Sequence, residues 1–192
     1  IYNPIEIKRI KKSKKIQNRI ISVGRIQNQK NFLGLIKAFN IVSDKLPNIK
    51  LMIVGSGNEK KDLKKLCLKF NLKKKVKFLK YQNPNKFINS SKLFVLNSLW
   101  EGLPNILMEA QMLRTPILSS DCLSGPSEIL KNNKLGYLTP VNDYSKLARS
   151  IIYIIKNYNL AKKKTNLAYK ALNRFEIKSQ CKKYELFINK FY

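Results

Sequence analysis

Two glutamates lie eight positions apart in the stretch NSLWEGLPNILMEA, residues 97–110, which has the pattern of a turn followed by a helix start. Helical side chains lean toward the helix N-terminus, so we expect the Glu109 carboxylate to point back toward Glu101 and Gly102. Gly102 lets a ligand approach the backbone closely, and Pro104 suits a first helical turn. The pattern predicts two carboxylates that face one polar crevice. The alternatives are a surface ion pair for Glu109 and compensation of the helix dipole by Glu101.

A second candidate is the loop VGRIQNQKN, residues 23–31. Gly24 closes an apolar run, and Arg25 and Lys30 follow just ahead of a helical pattern. Two cations beside a helix N-terminus predict a diphosphate site. The alternative is that they are two solvated charges among 39 basic residues. The G-x-G in VGSGN, residues 54–58, indicates by itself no more than a turn.

Short apolar runs alternate with helical patterns along most of the chain. The runs that read as strands are 19–24, 50–57, 76–81, 92–98 and 115–121, and those that read as helices are 32–46, 63–70, 84–91, 103–114 and several after about 143. This alternation predicts an α/β fold, a Rossmann-like parallel sheet of about six strands with helices on both faces. Ligands of such sheets bind at the carboxyl ends of the strands, where both candidate loops lie.

Length and composition limit the class of protein. With 192 residues, 44% of them hydrophobic, the chain can bury the core of one domain. Cys67, Cys122 and Cys181 are too few and too far apart for a disulfide framework, which indicates a reducing compartment, and histidine is absent. No apolar run has the length of a membrane span, and nothing resembles a signal peptide. The chain opens at Ile1 without an initiator methionine, as a fragment of a longer protein would.

The net charge of +28 raises the hypothesis of a basic nucleic-acid-binding domain. The lysines are spread over almost every segment, however, and neither a zinc-finger spacing nor an RNP-type aromatic block is present. The pattern favours a solvated lysine coat. Attraction to an anionic membrane surface is a second use for the same charge.

Taken together, the two candidate loops resemble a known family. G-R-x-x-x-x-K-N after the first strand and E-G-L-P-N-I-L-M-E-A after a later one are similar to the retaining family 4 glycosyltransferases of GT-B fold. DCLSGPSEIL, residues 121–130, resembles the branch that builds bacterial surface polysaccharides and lipid-linked glycans. The likeness covers roughly residues 1–175. It implies a linker and lead-in helix at 1–18, a donor-nucleotide-binding domain at 19–175 and a C-terminal helix at 176–192.

The resemblance also implies roles for single residues. Arg25 and Lys30, beside Gly24, would hold the donor diphosphate and stabilise the charge that grows on it. Glu101 would lie against the donor sugar, and Glu109 would take the ribose hydroxyls. The backbone N–H groups at the helix start would donate hydrogen bonds to the sugar and the phosphates; this segment is Gly102, Leu103, Pro104 and Asn105. The loop after the third strand, Lys80 and Tyr81, would border the base. The family more often has glycine in place of Lys80.

The implied enzyme transfers a hexose or N-acetylhexosamine to a lipid-linked or capsular glycan, and a UDP-sugar is the favoured donor. No metal or other cofactor is implied, because Arg, Lys and a helix dipole neutralise the leaving diphosphate. The acceptor and a histidine near the sugar come from an N-terminal domain in this family, so the chain alone is expected to be inactive. The expected location is the cytoplasm, including the cytoplasmic membrane face. The alternatives are a GT-B sugar-nucleotide epimerase or phosphorylase and the nucleic-acid-binding domain.

Overall fold

The computed structural model describes residues 2–8, 10–11, 13 and 15–190. Within them six parallel strands form one sheet of order β3-β2-β1-β4-β5-β6. The strands are β1 Gln17–Val23, β2 Lys50–Val54, β3 Val76–Leu79, β4 Ser91–Leu96, β5 Ile117–Ser120 and β6 Tyr137–Thr139. The predicted Rossmann-like sheet is therefore confirmed. β6 is absent from the runs read as strands, because a strand of three residues is too short to give a period.

The helices follow the strands in the predicted alternation. They are α1 Phe32–Lys45, α2 Lys60–Lys69, α3 Asn85–Asn89, α4 Asn105–Met112, α5 Pro126–Ile129, α6 Tyr144–Lys156, α7 Tyr158–Lys170 and α8 Ile177–Ile188, with 3-10 turns at Asn28–Lys30 and Ala171–Phe175. The helix expected at 84–91 is a single short turn, and the one expected at 103–114 begins two residues later. No helix in the described part of the chain is both long and apolar enough to cross a bilayer.

The lead-in helix predicted within 1–18 is wrong for the residues that the structure describes there. They contain no helix, and Ile5 instead forms an isolated bridge with Glu176. The Ile5 N–H donates to the Phe175 carbonyl at 2.8 Å, and the Tyr2 ring packs edge-on against Phe175 with centroids 5.0 Å apart. Partners elsewhere in the fold thus satisfy this extended backbone, and the like charges of its lysines oppose helix formation. Ile1 lies outside the described residues.

The apolar core divides into two layers, one on each face of the sheet. Successive strand residues point to opposite faces, so Ile20 packs with α1, α2 and α6 while Ile21 packs with α4 and α5. Both faces are covered, which explains why the strands read as continuous apolar runs. The two layers fix the sheet rigidly and leave the loops at its carboxyl edge to position polar side chains.

Candidate functional site

The loops after β1 and β4 meet because these strands are neighbours in the sheet. The Leu99 N–H donates to the Gln29 carbonyl at 2.8 Å, and the Gln29 amide donates to the Trp100 carbonyl at 3.0 Å. A third bond runs from Asn97 Nδ2 to the Asn31 carbonyl, also at 3.0 Å. The two loops that the sequence singles out separately therefore form one structural unit at the carboxyl edge.

Lys30 and Glu101 form an ion pair at the centre of this unit. Their side chains are only 15% and 8% exposed, so solvent screens the pair weakly. Ser98 Oγ donates to the same carboxylate oxygen, Oε1, at 2.6 Å. The pair was not expected from the sequence, which placed the two side chains at different parts of a ligand. Glu101 thus pairs with Lys30 of the loop after β1. The alternative that Glu101 only compensates the helix dipole does not account for these contacts.

The buried polar groups at the end of β4 were also missed. Ser98 is buried, and Ser120 Oγ, at the end of the adjacent strand β5, donates to the Ser98 carbonyl at 2.5 Å. Ser98 in turn holds Glu101, so Ser120 supports the carboxylate through Ser98. The sequence carried a signal for this network: polar residues closing an apolar strand, as in KLFVLNS, indicate a strand end that faces a site.

The glycines of the first two loops allow the loops to pack on each other. A Cβ at Gly24 would lie 3.3 Å from carbons of the Lys30 side chain, which therefore crosses directly over this glycine. A Cβ at Gly55 would lie 1.9 Å from the Gly24 carbonyl oxygen, and one at Gly57 would lie 2.1 Å from the Ile26 carbonyl oxygen. Both are impossible contacts. The G-x-G is thus a packing element that holds the loop after β1, which corrects its interpretation as only a turn.

Gly102 and Leu103 line an open cleft of about 540 Å³ beside this unit. The other lining residues are Tyr2, Asn3, Ser124, Gly125, Glu128 and Lys183. Nothing lies within 4 Å of a Cβ built on Gly102, so its backbone faces free space. Gly125 has a φ of +70° and packs so closely that a Cβ there would lie 1.7 Å from the Gly102 carbonyl oxygen. The loop after β5 therefore supports the Gly102 backbone from behind.

Helix α4 starts at this cleft. Pro104 is its buried N-cap residue, with φ −73° and ψ 101°, and no side chain caps the first turn. The backbone N–H groups of that turn, which begins at Asn105, are thus without a side-chain partner. At α1 the arrangement differs, because Asn31 Oδ1 accepts from the Gly34 N–H at 3.0 Å. The α4 start is accordingly the better anion site of the two.

Glu109 lies on the face of α4 that carries Asn105 and Ile106, one turn toward the N-terminus. Its side chain is half-buried, and no described residue forms an ion pair or hydrogen bond with the carboxylate. The alternative of a surface ion pair is therefore wrong within the described residues. Burial raises the pKa of Glu109. An unpaired carboxylate on the first turn's face is available to accept from hydroxyl groups.

The remaining predicted residues are exposed. Arg25 follows β1 and forms no ion pair with a described residue. Lys80 and Tyr81 follow β3, and Tyr81 is 75% exposed. β3 lies three strand spacings from β4, roughly 14 Å, so these two residues border the site at its far end. The predicted residues thus form a row along the carboxyl edge, from Lys80 through Arg25 to Glu101.

A doubly wound parallel sheet with a row of polar groups at its carboxyl edge defines a Rossmann-like domain, here one half of a GT-B fold. The chain belongs to the glycosyl transferases group 1 family, whose family model matches residues 4–174. The family that the sequence resembles is therefore confirmed.

Individual relatives agree with this assignment. An uncharacterized glycosyltransferase of Methanocaldococcus jannaschii is 48% identical over 111 residues, 57% of this chain and 27% of the relative. The UDP-Gal:alpha-D-GlcNAc-diphosphoundecaprenol alpha-1,3-galactosyltransferase of Escherichia coli is 33% identical over 160 residues, 81% of this chain and 41% of the relative. The chain therefore spans less than half the length of these relatives.

Among solved structures, the chain is similar to a mutant of S. aureus TarM in complex with fondaparinux, alpha-GlcNAc-glycerol and UDP. The TM-score is 0.87 at 26% sequence identity, and the match covers 96% of this chain and 38% of TarM. The structural match is thus to one part of a much longer chain.

Proposed function

We propose that this chain is the donor-binding half of a retaining glycosyltransferase. It binds a UDP-sugar without a metal ion, and the whole enzyme transfers a hexose or N-acetylhexosamine to a lipid-linked or capsular glycan. The names of relatives support the substrates: the Escherichia coli relative is described with UDP-Gal and a diphosphoundecaprenol glycan, and the similar TarM structure contains UDP.

The observation that carries the proposal is the buried Lys30–Glu101 pair between the Gly24 turn and the Gly102 backbone. Lys30 and the exposed Arg25 supply positive charge where a donor diphosphate would lie. As the bond between the sugar and the diphosphate breaks, negative charge grows on the leaving phosphate oxygen. The two cations and the uncapped N–H groups of α4 stabilise that charge, which is the task a metal ion performs elsewhere.

Glu101 positions Lys30 and takes part in sugar recognition. Both of its side-chain contacts within the described residues use Oε1, so Oε2 is free to accept from a sugar hydroxyl. Glu109, unpaired and half-buried, accepts from the ribose hydroxyls. Lys80 and Tyr81, at the far end of the row, border the base through their backbone groups.

We assign the acceptor site, and the histidine that the family resemblance implies near the sugar, to a separate N-terminal domain of the whole enzyme. The chain alone therefore binds the donor and does not transfer sugar. We expect the whole enzyme in the cytoplasm, where a lipid-linked acceptor would bring it into contact with the cytoplasmic face of an anionic membrane.

Calorimetry with UDP tests the donor site. A charge-assisted bond from Lys30 or Arg25 to the diphosphate makes either alanine variant bind roughly 10- to 100-fold more weakly. Lys156→Ala, an exposed lysine at the end of α6, is the control and should bind UDP as the wild type does. Equal affinity of Lys30→Ala and wild type would refute the phosphate assignment, and loss of binding in EDTA would refute metal independence.

A further inference from the structure

The positive charge of the chain is unevenly distributed. Residues 59–80 contain ten lysines and two acidic residues, a net charge of +8. Residues 97–143, which contain both site glutamates, have three basic and five acidic residues, a net charge of −2. An even lysine coat would not give this contrast between segments of one fold. Segment 59–80 therefore carries a concentrated positive charge.

Its lysines lie on α2, on the turn after it, and on or directly after β3, which is an outer strand of the sheet. A groove of about 470 Å³ runs between them. Its rim consists of Lys64, Lys73, Lys74 and Lys77, all exposed, and we call these four residues the lysine edge.

The groove has an apolar floor beneath the lysine edge. Cys67 and Val76 are buried there, Phe78 is half-buried, and Leu68 is 55% exposed among the lysines. A second groove of about 440 Å³ shares Lys74 and Lys77 with the first and adds Lys50 and Lys75. The positive surface thus continues around the outer strand.

The combination of charge and apolar surface determines the kind of partner. A bilayer of anionic lipids offers negative headgroups above acyl chains, which matches flexible ammonium groups around an exposed leucine. Nucleic acid fits less well. The four rim cations are all lysine, and the one aromatic residue of the groove, Phe78, is half-buried and does not present a face for base stacking.

We propose that the lysine edge docks this domain on an anionic phospholipid bilayer, with Lys64, Lys73, Lys74 and Lys77 at the headgroups and Leu68 at the interface. This docking depends on the proposed function in one respect: a lipid-linked acceptor would lie in the same bilayer. Docking through this lateral edge leaves the site at the carboxyl ends of β1 and β4 accessible.

Vesicle co-sedimentation tests the proposal. The chain should bind vesicles of phosphatidylcholine with phosphatidylglycerol and not vesicles of phosphatidylcholine alone, and added salt should weaken binding. Each lysine at an anionic surface contributes roughly fivefold to partitioning. The triple variant Lys73→Gln, Lys74→Gln, Lys77→Gln should therefore bind roughly 100-fold more weakly.

The matched control is Lys146→Gln, Lys156→Gln, Lys163→Gln, which removes the same charge from exposed positions on α6 and α7. It should retain most of the vesicle binding. If the two triple variants lost vesicle binding equally, binding would depend on net charge alone, and the proposal that the lysine edge is the binding site would be wrong. Thermal unfolding of each variant checks that the fold is intact.

Leu68→Gln separates a bilayer from other polyanions, since it changes no charge. It should weaken vesicle binding several-fold and leave the binding of a single-stranded RNA homopolymer unchanged. If Leu68→Gln binds vesicles as the wild type does while the lysine variant loses RNA, the surface is a polyanion site and the bilayer proposal fails. UDP calorimetry on the same variants should show wild-type affinity, so failure of the lysine edge and failure of the donor site are distinguishable.

Discussion

Replacing Glu101 by glutamine should lower stability without weakening UDP binding. The substitution keeps the shape of the side chain and an acceptor for Ser98 Oγ, but it removes the charge that faces Lys30. Lys30 then stays mostly buried without a counter-charge, which lowers the free energy of unfolding. The same change frees the ammonium group from its partner, so a diphosphate no longer competes with Glu101 for it.

The magnitude follows from the burial of the pair. Loss of one partner of a buried ion pair costs about 3–5 kcal/mol, and exposures of 15% and 8% place this pair near the lower end, at about 3 kcal/mol. For a chain of this size, that loss lowers the melting temperature by roughly 6–12 °C. Denaturant unfolding followed by circular dichroism measures the change.

Asp62→Asn is the matched control, because it also breaks an ion pair between a carboxylate and a lysine. The Asp62–Lys65 pair has side chains 77% and 80% exposed, so its loss should change stability by no more than about 0.5 kcal/mol. Equal losses in the two variants would show that the Lys30–Glu101 pair is as solvated as a surface pair.

UDP affinity supplies the second measurement. Glu101→Gln should bind UDP as well as the wild type or more tightly, whereas Lys30→Ala should bind it more weakly. The extra affinity for the full UDP-sugar over UDP should fall in Glu101→Gln, since Oε2 no longer carries charge for a sugar hydroxyl. If Glu101→Gln weakens UDP as much as Lys30→Ala does, the division of roles between the two residues is wrong.

Glu109→Gln should weaken UDP and UDP-sugar by the same factor in calorimetry, because both ligands share the ribose, and a loss confined to the sugar nucleotide would contradict this role. Burial raises the pKa of Glu109 in the folded protein above its ordinary value in the unfolded chain. The folded protein therefore loses stability as the pH rises from the ordinary glutamate pKa through the raised pKa, because the carboxyl group must then ionise while it is buried. The glutamine variant should be the more stable protein at neutral pH in thermal unfolding, with Glu185→Gln on the exposed surface of α8 as control. Gly55→Ala places a methyl group 1.9 Å from the Gly24 carbonyl oxygen and should cost more than about 1 kcal/mol in denaturant unfolding together with some UDP affinity, and unchanged values would contradict the packing of the two loops. The isolated chain should bind UDP yet show no transfer to a lipid-linked acceptor in a radiolabel assay, and sustained transfer would refute its assignment as the donor half.

The sequence by itself determined most of the helices and strands and the family that the two site loops resemble. Apolar runs ending in glycine or polar residues predicted five of the strands, and the spacing of Phe32, Leu35, Ile36 and Phe39 predicted α1, because burial on one face imposes a period that can be read directly. The likeness of the loops at 23–31 and 97–110 to the family also came from the sequence. β6 was too short to give such a signal. The lead-in was misjudged because its backbone is held by partners near residues 175 and 180, far along the chain.

Only the tertiary structure decided how the loops combine. Lys30 and Glu101 are 71 residues apart in the sequence. They meet because β4 pairs with one side of β1, while β2 and β3 lie on the other side of β1. The same strand order brings Gly55 against Gly24, and the loop after β5 packs Gly125 against Gly102. Local periodicity contains no information on which strands become neighbours, since that choice depends on the packing of whole layers of helices against both faces of the sheet. The individual charges were thus visible in the sequence, but their pairing and burial arose from the sheet order.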